Sequence, residues 1–85
     1  YSRNPAAFGM TAAASDYAAK ENIVLVGSLE NGLPLYMFDY KPEFKARWGY
    51  GRYLGVMAQD VELVLPEAVY EDETGIKVVD YSKLH

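Results

Sequence analysis

Ser15 and Lys20 are the two residues of this chain whose types and spacing could do chemistry. A serine hydroxyl is a weak nucleophile at neutral pH until a neighbouring group takes its proton, and a lysine amine of lowered pKa does so where no histidine serves. The single histidine, His85, is the last residue given. On a continuous helix a five-residue spacing sets two side chains about 140° apart, so the pair would not share a face. They meet when Ser15 lies just outside a helix, at its cap or on the preceding extended segment, and the lysine stem reaches back from the first turns. Ala12-Ala13-Ala14 lead into the serine, and such small side chains suit a backbone segment that must be approached closely.

The same residues have a plain structural reading. Ser15 or Asp16 is an ordinary helix N-cap, Ala18 and Ala19 are good helix formers, and Lys20 is a solvated charge. The carboxylates of Asp16 and Glu21 hold a proton on the amine, whereas burial among Ala14, Ala18, Ala19 and Ile23 loosens it. Spacing alone leaves both readings open.

The elements that would position the pair must come from 85 residues, enough for one small domain with a thin core. A composition 51% hydrophobic and 14% aromatic, with eight tyrosines, is that of a folded chain. With no cysteine, neither a disulfide framework nor a thiolate metal site compensates for the small core, which makes oligomerisation the expected remedy. A net charge of −4 opposes binding to nucleic acid or to an anionic membrane surface. The apolar runs are too short for a bilayer span and no basic-then-apolar leader opens the chain, so no membrane partner and no secretion by its own signal are expected. The start at Tyr1 instead of methionine points to a segment of a longer polypeptide.

Along the chain, residues 1–14 carry an Asn4-Pro5 turn signal followed by small residues, and read as a linker from an upstream region. Ser15 to Asn22 is expected to form one or two helical turns, and Ile23-Val24-Leu25-Val26 a buried strand. Asn31-Gly32 and Pro34 turn the chain into a second strand, Leu35 to Tyr40, whose Tyr36, Phe38 and Tyr40 share one face at period two. Lys41 to Arg52 is expected to be a loop and Tyr53 to Ala58 a strand; Asp60 then caps a brief helix with Val61, Val64 and Leu65 on one side, stopped by Pro66. Glu67 to Tyr70 and Ile76 to Val79 form a hairpin around the acidic turn Glu71-Asp72-Glu73, and Asp80 starts a last helical segment. Gln59-Asp60 reads as the pair that orders the strand-to-helix turn. No metal-ligand spacing and no Gly-rich phosphate loop appear, so neither a metal nor a cofactor is expected.

The ordered set Ser15-Asp16 with Lys20, Asn22 and Ile23, then Tyr36-x-Phe38-x-Tyr40, Leu54-Gly55-Val56-Met57-Ala58-Gln59-Asp60-Val61-Glu62, Leu65-Pro66-Glu67-Ala68-Val69 and Lys77-x-Val79-Asp80-Tyr81-x-x-Leu84 resembles the peptidase S74 family. These are intramolecular chaperone auto-processing domains of phage tail spikes and fibres, endosialidases and neck appendages, and of the myelin regulatory factor transcription factors. The resemblance covers about Ser15 to Leu84. It implies an α+β domain, residues 15–85, with a small, mostly antiparallel sheet and short helices. In the family this leads into a C-terminal trimeric coiled-coil helix, which the given residues, ending at His85, do not include.

The resemblance further implies a homotrimer that assists folding of the upstream fibre or spike region of the same polypeptide and then cuts the Ala14–Ser15 bond. Ser15 would be the nucleophile and Lys20 the base, with Asp16 and Asn22 in support; a developing oxyanion would need backbone N–H groups or an amide such as that of Asn22. The location implied is the host cytoplasm during assembly and then the virion tail. Ala18 and Ala19 stand where the family usually has arginine and a larger apolar residue. Two other functions compete: a non-cleaving trimerisation cap, and a glycan-binding tip module built on Phe44, Arg47, Trp48, Tyr50, Arg52 and Tyr53, whose aromatics and arginines could stack on a sugar.

Overall fold

A computed structural model of the chain describes residues 11–84. Most of the expected linker, and His85, therefore lie outside the described residues. Two three-stranded antiparallel sheets, two short helices and several 3-10 turns make up an α+β fold. The first sheet runs β1 (Ala12–Ala14), β6 (Lys77–Asp80), β5 (Val69–Glu71); the second runs β2 (Lys20–Ser28), β3 (Pro34–Tyr40), β4 (Arg52–Gly55). No C-terminal coiled coil is present among the described residues.

The alanines ahead of Ser15, read as the end of a linker, form strand β1 beside β6, with Ala12 opposite Asp80, Ala13 opposite Val79 and Ala14 opposite Val78. Alternation along this strand sends Ala13 into one buried cluster, with Val56, Val61, Val79 and Tyr81, and Ala14 into the other, with Phe38, Tyr40, Tyr53 and Met57. β1 thus divides the core, and the chain leaves it at Ser15.

The expected helix at Ser15 to Asn22 contracts to a 3-10 turn, Tyr17–Ala19, capped by Asp16 and not by Ser15. Lys20 already belongs to β2. Ile23 to Val26 do lie in a strand, but one whose Val24, Leu25 and Val26 are exposed. The reason is position: among the described residues β2 is an edge strand, with only β3 beside it. Its register shifts between Glu21 and Val24 and again between Leu25 and Gly27, and Asn22 takes a left-handed conformation (φ 53°) within the first shift.

The segment expected to be a loop, Lys41 to Arg52, contains helix α1 (Pro42–Trp48). Pro42 has the φ a first helical turn needs and gives up only a donor that would have no partner there. Lys45 and Arg47 lie in the last turn, where cations suit the helix dipole. Helix α2 (Ala58–Val64) begins two residues before the expected cap, after Met57, and stops at Leu65 ahead of Pro66. Only Val61 of its three expected apolar positions is fully buried; Leu65 packs partly and Val64 faces solvent. The β5–β6 hairpin closes through the Asp72 carboxylate, which accepts from the Thr74 and Ile76 N–H groups, and Asp80 caps the 3-10 turn Tyr81–Lys83.

Candidate functional site

Ser15 sits where the β1–β6 ladder ends. Its N–H donates to the Lys77 carbonyl at 3.0 Å, while its own carbonyl accepts instead from the Ala58 N–H at 2.8 Å. The Lys77 N–H, whose ladder partner would have been that carbonyl, donates to the Asp16 carboxylate (Oδ2, 3.2 Å). Asp16 also accepts from the Ala18 N–H and from the Gln59 amide (Oδ1, 3.0 and 2.8 Å), and Gln59 in turn accepts from the Tyr17 N–H. The Ser15–Ala19 corner is therefore pinned from both sides. These bonds pull the Asp16 carboxyl below its usual range, although partial desolvation, the largest single influence, works the other way.

That corner brings Lys20 onto β2 directly opposite Tyr40 of β3. Cross-strand partners share a face, and here the face is the core. Lys20 is 2% exposed and Ser15 fully buried, the two buried polar or charged residues among those described, the tyrosines aside. The Lys20 ammonium position lies 3.7 Å from the centre of the Phe38 ring and donates to the Val56 carbonyl at 2.9 Å. Desolvation lowers its pKa from 10.5 to about 7, against a smaller upward pull from Asp16. A buried amine that exchanges its proton near neutrality is what a general base requires. The solvated-charge reading of Lys20 is thereby excluded.

The Ser15 hydroxyl donates to the Ala13 carbonyl at 3.2 Å and is hydrogen-bonded to the Tyr81 phenol, which also accepts from the Val56 N–H at 3.2 Å. Val56 thus offers its N–H to Tyr81 on the serine's side and its carbonyl to Lys20. The hydrogen bonds of Ser15 and Lys20 run to separate carbonyls in this resting arrangement.

On the other side of the serine, the Tyr40 hydroxyl donates to the Ala14 carbonyl at 2.8 Å. Asn22, weighed from the sequence as an oxyanion donor, is spent elsewhere. Its amide donates to Asp39 (2.8 Å) on the exposed side, because the bulge at Asn22 breaks the alternation that would have returned it to the Lys20 face. Sequence reasoning missed the roles of Val56, Tyr40 and Tyr81. Tyr40 had a legible signal: it ends the period-two aromatic face, and a buried tyrosine hydroxyl usually finds a partner.

The Phe44–Tyr53 stretch is engaged otherwise. Arg47 pairs with Glu73 (2.8 Å), Arg52 with Asp39 (3.3 Å), Phe44 and Trp48 pack against the core, and Tyr53 is buried; Tyr50 is the aromatic left facing solvent. Among the described residues no group of three or more His, Asp or Glu side chains is placed to hold a metal, and no helix is long and apolar enough to cross a membrane.

Comparison with known families gives a match over residues 15–70, more than half of the chain, to the Peptidase S74 model, described as the chaperone of endosialidase. The match spans Ser15, Lys20, Tyr40 and Val56. No curated protein and no solved structure matches the chain.

Proposed function

The chain belongs to the peptidase S74 family, and from that premise we propose that it is an intramolecular chaperone that promotes trimeric folding of an upstream tail-fibre or spike segment and then severs itself at Ala14–Ser15. A chaperone role follows from family membership. The single observation that carries self-cleavage is the burial of Lys20, with its pKa near 7, in the same core as the buried Ser15.

The chemistry is local and needs no cofactor. Ser15 Oγ adds to the Ala14 carbonyl carbon as Lys20 takes the hydroxyl proton; the C–N bond then breaks, and the Ser15 nitrogen takes a proton back from Lys20. This N-to-O shift leaves Ala14 esterified to the serine. One water hydrolyses the ester, giving an Ala14 carboxylate and a free Ser15 hydroxyl. The fold restrains the residue that follows the reacting bond, through the Ser15 N–H to the Lys77 carbonyl of β6 and the Ser15 carbonyl to the Ala58 N–H of α2. For the proton to pass, Ser15 Oγ must leave the Ala13 carbonyl and Lys20 must turn from Val56, a rearrangement assigned to trimer assembly. Catalytic hydrogen bonds are often long or poorly aligned at rest and tighten only in the reacting complex.

A non-cleaving trimerisation cap remains the second reading, favoured by those two separate resting hydrogen bonds. Mass spectrometry of the full parent protein before and after folding decides between them. Self-cleavage gives two fragments divided at Ala14–Ser15 in wild type and one intact chain in Ser15→Ala, whereas a cap stays whole in both.

A further inference from the structure

We propose that the Tyr40 hydroxyl is the oxyanion donor of the cleavage reaction, an inference that rests on the self-cleavage reading above. Thr11 accepts from the Tyr81 N–H and Lys77 accepts from the Ser15 N–H. With Ala13 opposite Val79 between them, hydrogen-bonded pairs alternate along β1, so Ala14, opposite Val78, turns its carbonyl away from β6. That oxygen therefore needs a partner from outside its own sheet, and Tyr40 of the second sheet supplies one at 2.8 Å. When Ser15 Oγ adds to the carbon, the C=O π pair moves onto this same oxygen, where a donor is already in place. Nothing else need enter, and the proton stays shared between the phenol and the oxyanion until the C–N bond breaks and the carbonyl re-forms.

Three features fit Tyr40 for this task. Its ring is fixed edge-on to Phe38 (5.3 Å, 85°) and to Tyr53 (5.3 Å, 65°), so the hydroxyl is held without a flexible stem. Burial, with smaller contributions from Tyr81 and Tyr53, keeps its proton on far above neutral pH. Lys20 is its cross-strand partner, so the amine that takes the serine proton stands on the same face of the sheet as this hydroxyl. A fixed donor aimed at developing charge in a dry site is worth far more than in water.

The test uses the full parent chain, scoring cleavage by mass and trimer assembly by sedimentation. Tyr40→Phe, which keeps the ring, is expected to assemble normally while cleavage slows by about 10²–10³-fold, the loss typical of one oxyanion donor. Cleavage at the wild-type rate overturns the inference and leaves the Ser15–Lys20 reading standing. A wild-type trimer that never cuts, like its Ser15→Ala counterpart, removes both. Should Tyr40→Phe fail to assemble, 3-fluorotyrosine at position 40, a more acidic donor of nearly the same shape, is expected to speed cleavage, and an unchanged rate overturns the proposal. In the uncut Ser15→Ala chain, the ¹³C resonance of a labelled Ala14 carbonyl is expected to move upfield when Tyr40→Phe is added. No movement means that the phenol does not hold that oxygen.

Discussion

At the residue scale, the balance between burial and charge at Lys20 bears on stability and, in the proposed mechanism, on the rate of cleavage. Its folded pKa of about 7 lies below the unfolded value of 10.5, so between these values the unfolded chain binds more protons than the folded one. Stability must then rise with pH, by up to roughly 1 kcal/mol per pH unit from this group. Burial raises the pKa values of Tyr40 and Tyr81, which makes unfolding easier only once unfolded tyrosines ionise near pH 10. Between pH 7 and 9.5, urea denaturation should therefore show wild type gaining stability while Lys20→Met stays flat; parallel slopes would mean that the amine is not desolvated. Below pH 7 the methionine chain should be the more stable, since it buries no charge. The cleavage rate should follow the neutral fraction of the same amine, climbing through about pH 7 to a plateau. Asp16 pulls the Lys20 pKa upward, so Asp16→Asn, which keeps a capping oxygen, should move that rate midpoint to lower pH. A midpoint that stays fixed would separate Asp16 from the base.

At the element scale, tight local geometry is passed from one segment to the next and reaches the site. Gly49 ends α1 at φ 132°, and a Cβ there would collide with the Tyr53 hydroxyl. Tyr53 stacks on Phe38 and stands edge-on to Tyr40. Gly49→Ala should cost roughly 3 kcal/mol, backbone strain plus displacement of the ring, and should slow cleavage as Tyr40 loses its support. Gly51→Ala, at φ 87° with open space around it, should cost only about 1 kcal/mol and leave cleavage unchanged. Thermal melts and cleavage time courses of the two variants compare them directly. The aromatic strand, the acidic hairpin and the Asp80 turn were legible because period-two alternation, Asn-Gly and Asx capping act over a few residues. Helix α1 was not, because seven residues interleaved with charge carry little periodicity and its Phe44–Trp48 pair reads equally well as hairpin packing. Ser15 and Lys20 were legible by type. Their enclosure was not, since it depends on β1, β3, the segment after β4 and Tyr81 meeting, which no short spacing encodes.

At the scale of the whole molecule, the described fold leaves apolar surface on its edge strand: Val24, Leu25 and Val26 of β2 are 51%, 62% and 40% exposed. A strand with free backbone groups and an exposed apolar run associates unless something covers it. In a trimer of identical chains the same surface recurs on every copy, which makes β2 the natural contact of the proposed assembly. Each copy also carries a net charge of −4, so association must overcome mutual repulsion and should strengthen as salt screens it. Leu25→Lys adds a charge at an exposed position, so the single domain should keep its fold while the trimer weakens. If assembly is what turns Ser15 toward Lys20, this variant should cleave more slowly at low protein concentration and recover as concentration rises. Wild-type refolding should likewise show an onset of cleavage that depends on concentration, and preformed trimers should show none. A Leu25→Lys chain that remains monomeric by sedimentation yet cuts at the wild-type rate would detach the chemistry from trimerisation and make the reaction a property of the single fold.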